Sequence, residues 1–90
     1  MKVYVVYLLG YTGSNELEIL GVYQDIEKAK EIYQKTIGEN IIEYDFYYDN
    51  ETPYTDTLVN GRCMVRLFKG GYQENWDNYI EIHLEVQEVK

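Results

Sequence analysis

Glu81, His83 and Glu85 alternate along one stretch of chain, so an extended backbone sets an imidazole between two carboxylates on a single face. Those residue types hold divalent metals or pass protons between acid and base. A metal site would need a second His or Cys ligand, and the sequence has one His and one Cys, with Cys63 far from the trio. Alternation also turns these three side chains outward whatever they do, so they read as an acidic solvated face. Ser14 is the sole serine and sits in a turn-forming stretch, which leaves nucleophilic catalysis without a candidate. Gly70-Gly71 lacks the Lys and Ser or Thr that complete a phosphate loop. No cofactor is expected, and the reading is that of a non-enzyme.

A different pattern points to binding. Glu43, Asp45, Tyr47, Asp49 and Glu51, followed by Tyr54 and Asp56, interleave acids with phenol rings. On an extended strand, alternate residues lie about 7 Å apart, close to the roughly 7 Å between successive phosphates along one nucleic-acid strand. Carboxylates at that pitch are able to imitate a phosphate backbone; the competing reading is a solvated acidic face. Tyr72 and Trp76 add aromatics to a segment otherwise built for water, either as contact anchors or as a lid folded back on the sheet. These nine residues are the candidate partner-binding set.

The whole chain has the same character, with 11 tyrosines and a formal charge of -8 in 90 residues. Tyrosine joins a large apolar ring to a hydroxyl and loses little side-chain freedom on ordering, which suits it to interfaces. Sixteen acidic residues against eight basic ones argue against direct nucleic-acid binding, which needs Lys and Arg to neutralise phosphates. The preferred partner is a basic protein surface, and the acidic charge would speed encounter with it. No segment reaches the roughly 18 apolar residues of a membrane span, and the first ten residues lack a signal-peptide cleavage site. The single Cys63 excludes an internal disulfide and reads as a buried, inert thiol in a reducing cytoplasm, a host's cytoplasm if the gene is a phage's.

Ninety residues make one domain, 1–90, with a hydrophobic content of 46% that is too high for a disordered acidic tail. Lys2–Leu9 is apolar at nearly every position, the mark of a central strand covered on both faces. Gly10–Glu16 is rich in turn formers, and Leu17–Tyr23 returns as the second strand of an antiparallel hairpin. Asp25 caps a helix whose apolar positions are Ile26, Ala29, Ile32, Tyr33 and Ile37, with Gly38 as its stop. Ile41–Tyr48 alternates as a half-exposed strand, with Ile42, Tyr44, Phe46 and Tyr48 on one face and Glu43, Asp45 and Tyr47 on the other. Asn60-Gly61 signals a type I′ turn between Leu58–Val59 and a strand over Arg62–Phe68. Tyr79–Val86 closes the sheet, with Ile80, Ile82, Leu84 and Val86 inward.

The segments Lys2–Tyr7, Ile19–Tyr23 and Glu27–Lys30 together resemble a pattern of small uncharacterised bacterial and phage proteins: a K-V-Y-V-V strand, an I-x-G-V-Y strand and an E-K-A-K helix start. The resemblance covers about the first 38 residues. It implies a β-β-α beginning and carries no known active site.

The fold expected is α+β, a mainly antiparallel sheet of five or six strands in the order β-β-α-β-β-β-β, with one helix on one face. Val5, Leu9, Ile19, Ile32, Ile82 and Leu84 are the expected core, and the other sheet face or an edge is expected to show tyrosines and carboxylates. Such a patch is of the kind that forms a homodimer. The expected function is an inhibitor of the kind phages encode, occluding the basic, nucleic-acid-binding surface of a host enzyme or defence protein. The alternatives are an immunity or regulatory module that neutralises one cognate protein, and a binder of a nucleotide signal using Arg62, Arg66 and Lys69, the only clustered bases.

Overall fold

A computed structural model describes residues 1–12, 15–49, 51–69 and 78–89. It has the elements β1 (Lys2–Thr12), β2 (Asn15–Tyr23), α1 (Ile26–Glu43), β3 (Phe46–Tyr48), β4 (Arg62–Lys69) and β5 (Asn78–Glu88). The fold is α+β: five strands form one antiparallel sheet in the order β2-β1-β5-β4-β3, and α1 packs on one face. The first and last strands are central partners, with Val6 opposite Leu84 and Leu8 opposite Ile82.

The core lies between α1 and the sheet. Ala29, Tyr33 and Ile37 from the helix meet Val6, Val65, Leu67, Ile80, Ile82 and Leu84 from the strands, all buried. Strict alternation in β4 and β5 makes this possible, because every second residue there is apolar. Cys63 is buried in the same layer, and burial pushes its thiol up from its ordinary pKa. Asp25 caps α1 by accepting from the Glu27 amide at 2.9 Å. Asn60 (φ 56°) and Gly61 (φ 81°) form the expected turn, closed by the Val59 and Arg62 backbones at 2.9 and 3.3 Å. The strand expected before it shrinks to the single Val59–Arg62 bridge, so the sheet has five strands rather than six.

Two expectations are corrected. The helix does not stop at Gly38 but runs through it to Glu43, because Ile41 continues the four-residue spacing of Ala29, Tyr33 and Ile37 and packs on the core. The strand expected over Ile41–Tyr48 is therefore helix, then a turn with Asp45 at φ 58°, then three strand residues. Second, Ile82 and Leu84 are fully buried and Ile32 packs against the core, but Val5, Leu9 and Ile19 are not core residues. Val5 pairs with Val22 and Leu9 with Leu17 on the face away from α1, where Ile19 is 55% exposed. The single helix packs on the face that carries Val6, Val65 and Leu84, and among the described residues no helix packs on the other.

Candidate functional site

The open face of the sheet carries two kinds of surface. Toward the β4 side, β5 presents Glu81, His83 and Glu85, paired in register with Arg66, Met64 and Arg62 of β4. These side chains were expected to face water; instead they interlock. Arg66 donates from Nε and Nη2 to Glu81 Oε2 at 3.1 and 2.9 Å, and His83 Nε2 lies 3.1 Å from Glu81 Oε1. Glu81 is left only 8% exposed. Asp49 reaches the same guanidinium at 3.8 Å, and the Arg66 group lies 5.5 Å from the centre of the Tyr79 ring. The hydrogen bonds that Arg66 donates to Glu81, and the charge of that carboxylate, raise the Arg66 pKa against the cost of burial.

On the other side of His83, the Tyr7 ring stacks at 4.7 Å with an interplanar angle of 4°, and its hydroxyl donates to Glu85 Oε2 at 3.0 Å. Burial, then that hydrogen bond and the Glu85 charge, push the Tyr7 hydroxyl up to about 12. A phenol held in its protonated form and an arginine clasped by two carboxylates serve structure more than chemistry. An open cleft of about 490 Å³ lies beside them, lined in part by Tyr7, Arg62, Met64 and His83. Among the described residues no group of His, Cys, Asp and Glu is placed to hold a metal ion.

The expected partner-binding residues divide into three groups. Glu43 ends α1, Asp45 occupies the left-handed turn, and Tyr47 lies in a different element, β3, so the regular carboxylate row does not exist. Tyr47 points into an aromatic cluster, 6.2 Å from Phe68, which itself lies 5.7 Å from Tyr79. Its hydroxyl is buried without a hydrogen-bond partner among the described residues. Asp49 and Asp56 are structural pins. Asp49 accepts from the Glu51 amide at 3.1 Å and the Thr52 hydroxyl at 3.2 Å. Asp56 accepts from Gln34 of α1 at 2.9 Å and from Tyr54 at 3.3 Å. The buried Tyr33 hydroxyl donates to the Thr55 carbonyl at 2.7 Å and fastens the same loop, and burial raises its pKa strongly. Tyr72 and Trp76 lie outside the described residues.

The members that remain free gather around the end of α1 and the loop after β3. Glu43, Asp45 and Glu51 are exposed, and so are Tyr44, Tyr48 and Tyr54 at 54%, 40% and 42%. Every exposed tyrosine among the described residues belongs to this segment. Tyr48 and Tyr54 touch edge to face, with ring centres 6.4 Å apart. Tyr44 was expected on one strand face with Phe46 and Tyr48, and the helix extension and the turn at Asp45 take it off the strand; Tyr48 keeps the face of Phe46, opposite Leu67, at the edge of the sheet. Ile42, 80% exposed in the last helical turn, extends the apolar component.

Comparison with protein-family models, curated proteins and solved structures gives no match. No described helix is long and apolar enough to cross a membrane.

Proposed function

We propose that the chain is a non-enzymatic binding protein that engages a basic protein surface through the segment Glu43–Asp56, acting as an inhibitor that occludes a nucleic-acid-binding groove. One observation carries this reading: the exposed tyrosines Tyr44, Tyr48 and Tyr54 share a short segment with the free carboxylates Glu43, Asp45 and Glu51. Rings supply contact area at low entropic cost, and the acids between them select a cationic partner. The loop is held by Tyr33, Gln34 and Asp49, so the surface is preorganised and binding needs little further ordering. An immunity or regulatory module acting on one cognate protein would use the same surface. The nucleotide-signal reading is weakened, because Arg66 already serves Glu81 and Asp49.

The test separates local acids from net charge. A fluorescent Lys- and Arg-rich peptide is titrated with the protein, with the triple change Glu43→Lys, Asp45→Lys and Glu51→Lys, and with a control that reverses Glu16, Glu18 and Glu27. Both variants carry the same net charge. The reading expects affinity to fall at least about 10-fold more in the first than in the second. Equal losses would reduce the binding to net charge and defeat the proposal.

A further inference from the structure

The cleft of about 490 Å³ on the open sheet face runs against the character of the whole chain. Tyr7 of β1, His83 of β5, Arg62 and Met64 of β4, and Val59 and Asn60 from the turn before β4 line it. None of the described residues in its lining is Asp or Glu, in a chain with sixteen acids and eight bases. Its one permanent charge is the Arg62 guanidinium. We infer that this cleft is a binding site for a small aromatic carboxylate, a body of one or two rings bearing a single negative charge.

The charge of the ligand follows from how the two arginines of β4 are used. Arg66 is committed to Glu81 and Asp49. Arg62 is exposed, and among the described residues its side chain makes no hydrogen bond and no ion pair. Glu85 lies opposite Arg62 in register, but it accepts from the Tyr7 hydroxyl instead. A guanidinium presents two parallel N–H donors that match a carboxylate. One unengaged cation with Glu85 close by offsets one negative charge, which favours a carboxylate over a phosphate monoester carrying about -1.5 to -2.

The ring follows from the walls. Tyr7 and His83 stand parallel with ring centres 4.7 Å apart, and Met64 lies opposite His83 in register. Aromatic faces and a polarisable thioether both favour an aromatic neighbour. The volume falls within the ~300–1,000 Å³ of small-molecule sites. Glu81 Oε1 is an acceptor, so His83 Nε2 donates to it, and the neutral ring keeps Nδ1 as an acceptor with no partner among the described residues. A ring N–H on the ligand would satisfy it.

These walls are set before a ligand arrives. Glu85 holds Tyr7 and Glu81 holds His83, while Asn60 and Gly61 take positive φ in a turn whose Gly61 carbonyl accepts from the Val86 amide at 2.8 Å. Fixed groups of this kind lose little freedom on binding. The cleft shares no residue with Glu43–Asp56, so the two sites are testable apart.

Calorimetric titration of the full chain with indole-3-carboxylate, which joins two rings and an N–H donor to one carboxylate, tests the inference. A dissociation constant below about 2 mM is expected. Indole-3-carboxamide keeps the rings without the charge, and cyclohexanecarboxylate keeps the charge without the rings; each should bind at least about 10-fold more weakly. Arg62→Gln should weaken indole-3-carboxylate by a similar factor with an unchanged circular dichroism spectrum, because the side chain it replaces is exposed and unbonded. Lys28→Gln makes the same change in net charge on the exposed face of α1 and should leave binding intact. No saturation by about 2 mM, a loss in Arg62→Gln no greater than in Lys28→Gln, either analogue binding as well as indole-3-carboxylate, or phenyl phosphate binding more tightly than benzoate would each overturn the inference.

Discussion

Replacing Arg66 by Met removes the guanidinium and keeps an apolar stem of similar reach across β4. Glu81, only 8% exposed, then loses both charge-assisted hydrogen bonds and keeps His83 as its partner, while Asp49 loses its countercharge at 3.8 Å. Stripping one member from a buried ion pair costs about 3–5 kcal/mol, chiefly for the uncompensated charge left behind. The Arg66 side chain is 30% exposed, so water can enter the space it leaves, and we expect a loss nearer ~2–3 kcal/mol. A domain of this size has a total stability on the order of 5–13 kcal/mol, so the loss is readily measured. Urea unfolding followed by circular dichroism gives the value. Adding Glu81→Met to Arg66→Met removes the orphaned charge as well, and the double variant should return to within about 1 kcal/mol of the parent. A single-variant cost below about 1 kcal/mol, or strictly additive costs in the pair, would refute the claim that this network is a buried structural unit.

Gly38 lies inside α1 with no heavy atom within 4 Å of an added Cβ, so Gly38→Ala should raise stability by about 0.5–1 kcal/mol, read as a higher urea midpoint. Were Gly38 a helix stop in the left-handed region, the same change would lower it. Tyr47→Phe removes a buried hydroxyl with no partner among the described residues and should stabilise by about 1 kcal/mol; a loss of stability would reveal a hydrogen bond at that group. The folded chain holds the Tyr7 proton to a pKa of about 12 against 10.0 for the free group. Its contribution is therefore intact below pH 10 and is lost as pH rises through about 12, by at most ~1.4 kcal/mol per pH unit. Tyr7→Phe should flatten that decline in urea midpoints measured from pH 9 upward, leaving the part due to Tyr33; an unchanged slope would contradict the assignment.

Much of the architecture is legible in local chemistry. Asp25 before an amphipathic run, Asn60-Gly61 between apolar stretches and the period of two in Tyr79–Val86 each name their element, because a cap, a positive φ or a sheet face admits few residue types. The end of α1 is harder to read. Gly38 resembles a stop, while Ile41 continues the stripe that buries the helix, and tertiary packing of Ile41 decides the outcome. That one boundary took Tyr44 off the strand and dissolved the even carboxylate row, while Phe46 and Tyr48 keep one face of β3 and Tyr47 the other. β1 is apolar on both sides, so periodicity does not tell which face meets the helix; Tyr4, Val6 and Leu8 take that role and Val3, Val5 and Leu9 stay outside. Alternation gives the direction of Glu81 but not its depth. That depends on Arg66 lying across it from the neighbouring strand, a pairing set by sheet order rather than by any local signal. The acidic, tyrosine-rich character of residues 43–56 is plain in the sequence, but which of those groups stay free needs the hydrogen bonds of Asp49 and Asp56.

The most direct measurement is a titration of the isotope-labelled chain with a Lys- and Arg-rich peptide, followed residue by residue in amide nuclear magnetic resonance spectra at low and at physiological salt. Shifts should concentrate on residues 43–56 and weaken as salt screens the acids. Shifts of equal size at Glu16, Glu18, Glu27 and Glu31, or none at Tyr44, Tyr48 and Tyr54, would contradict that expectation.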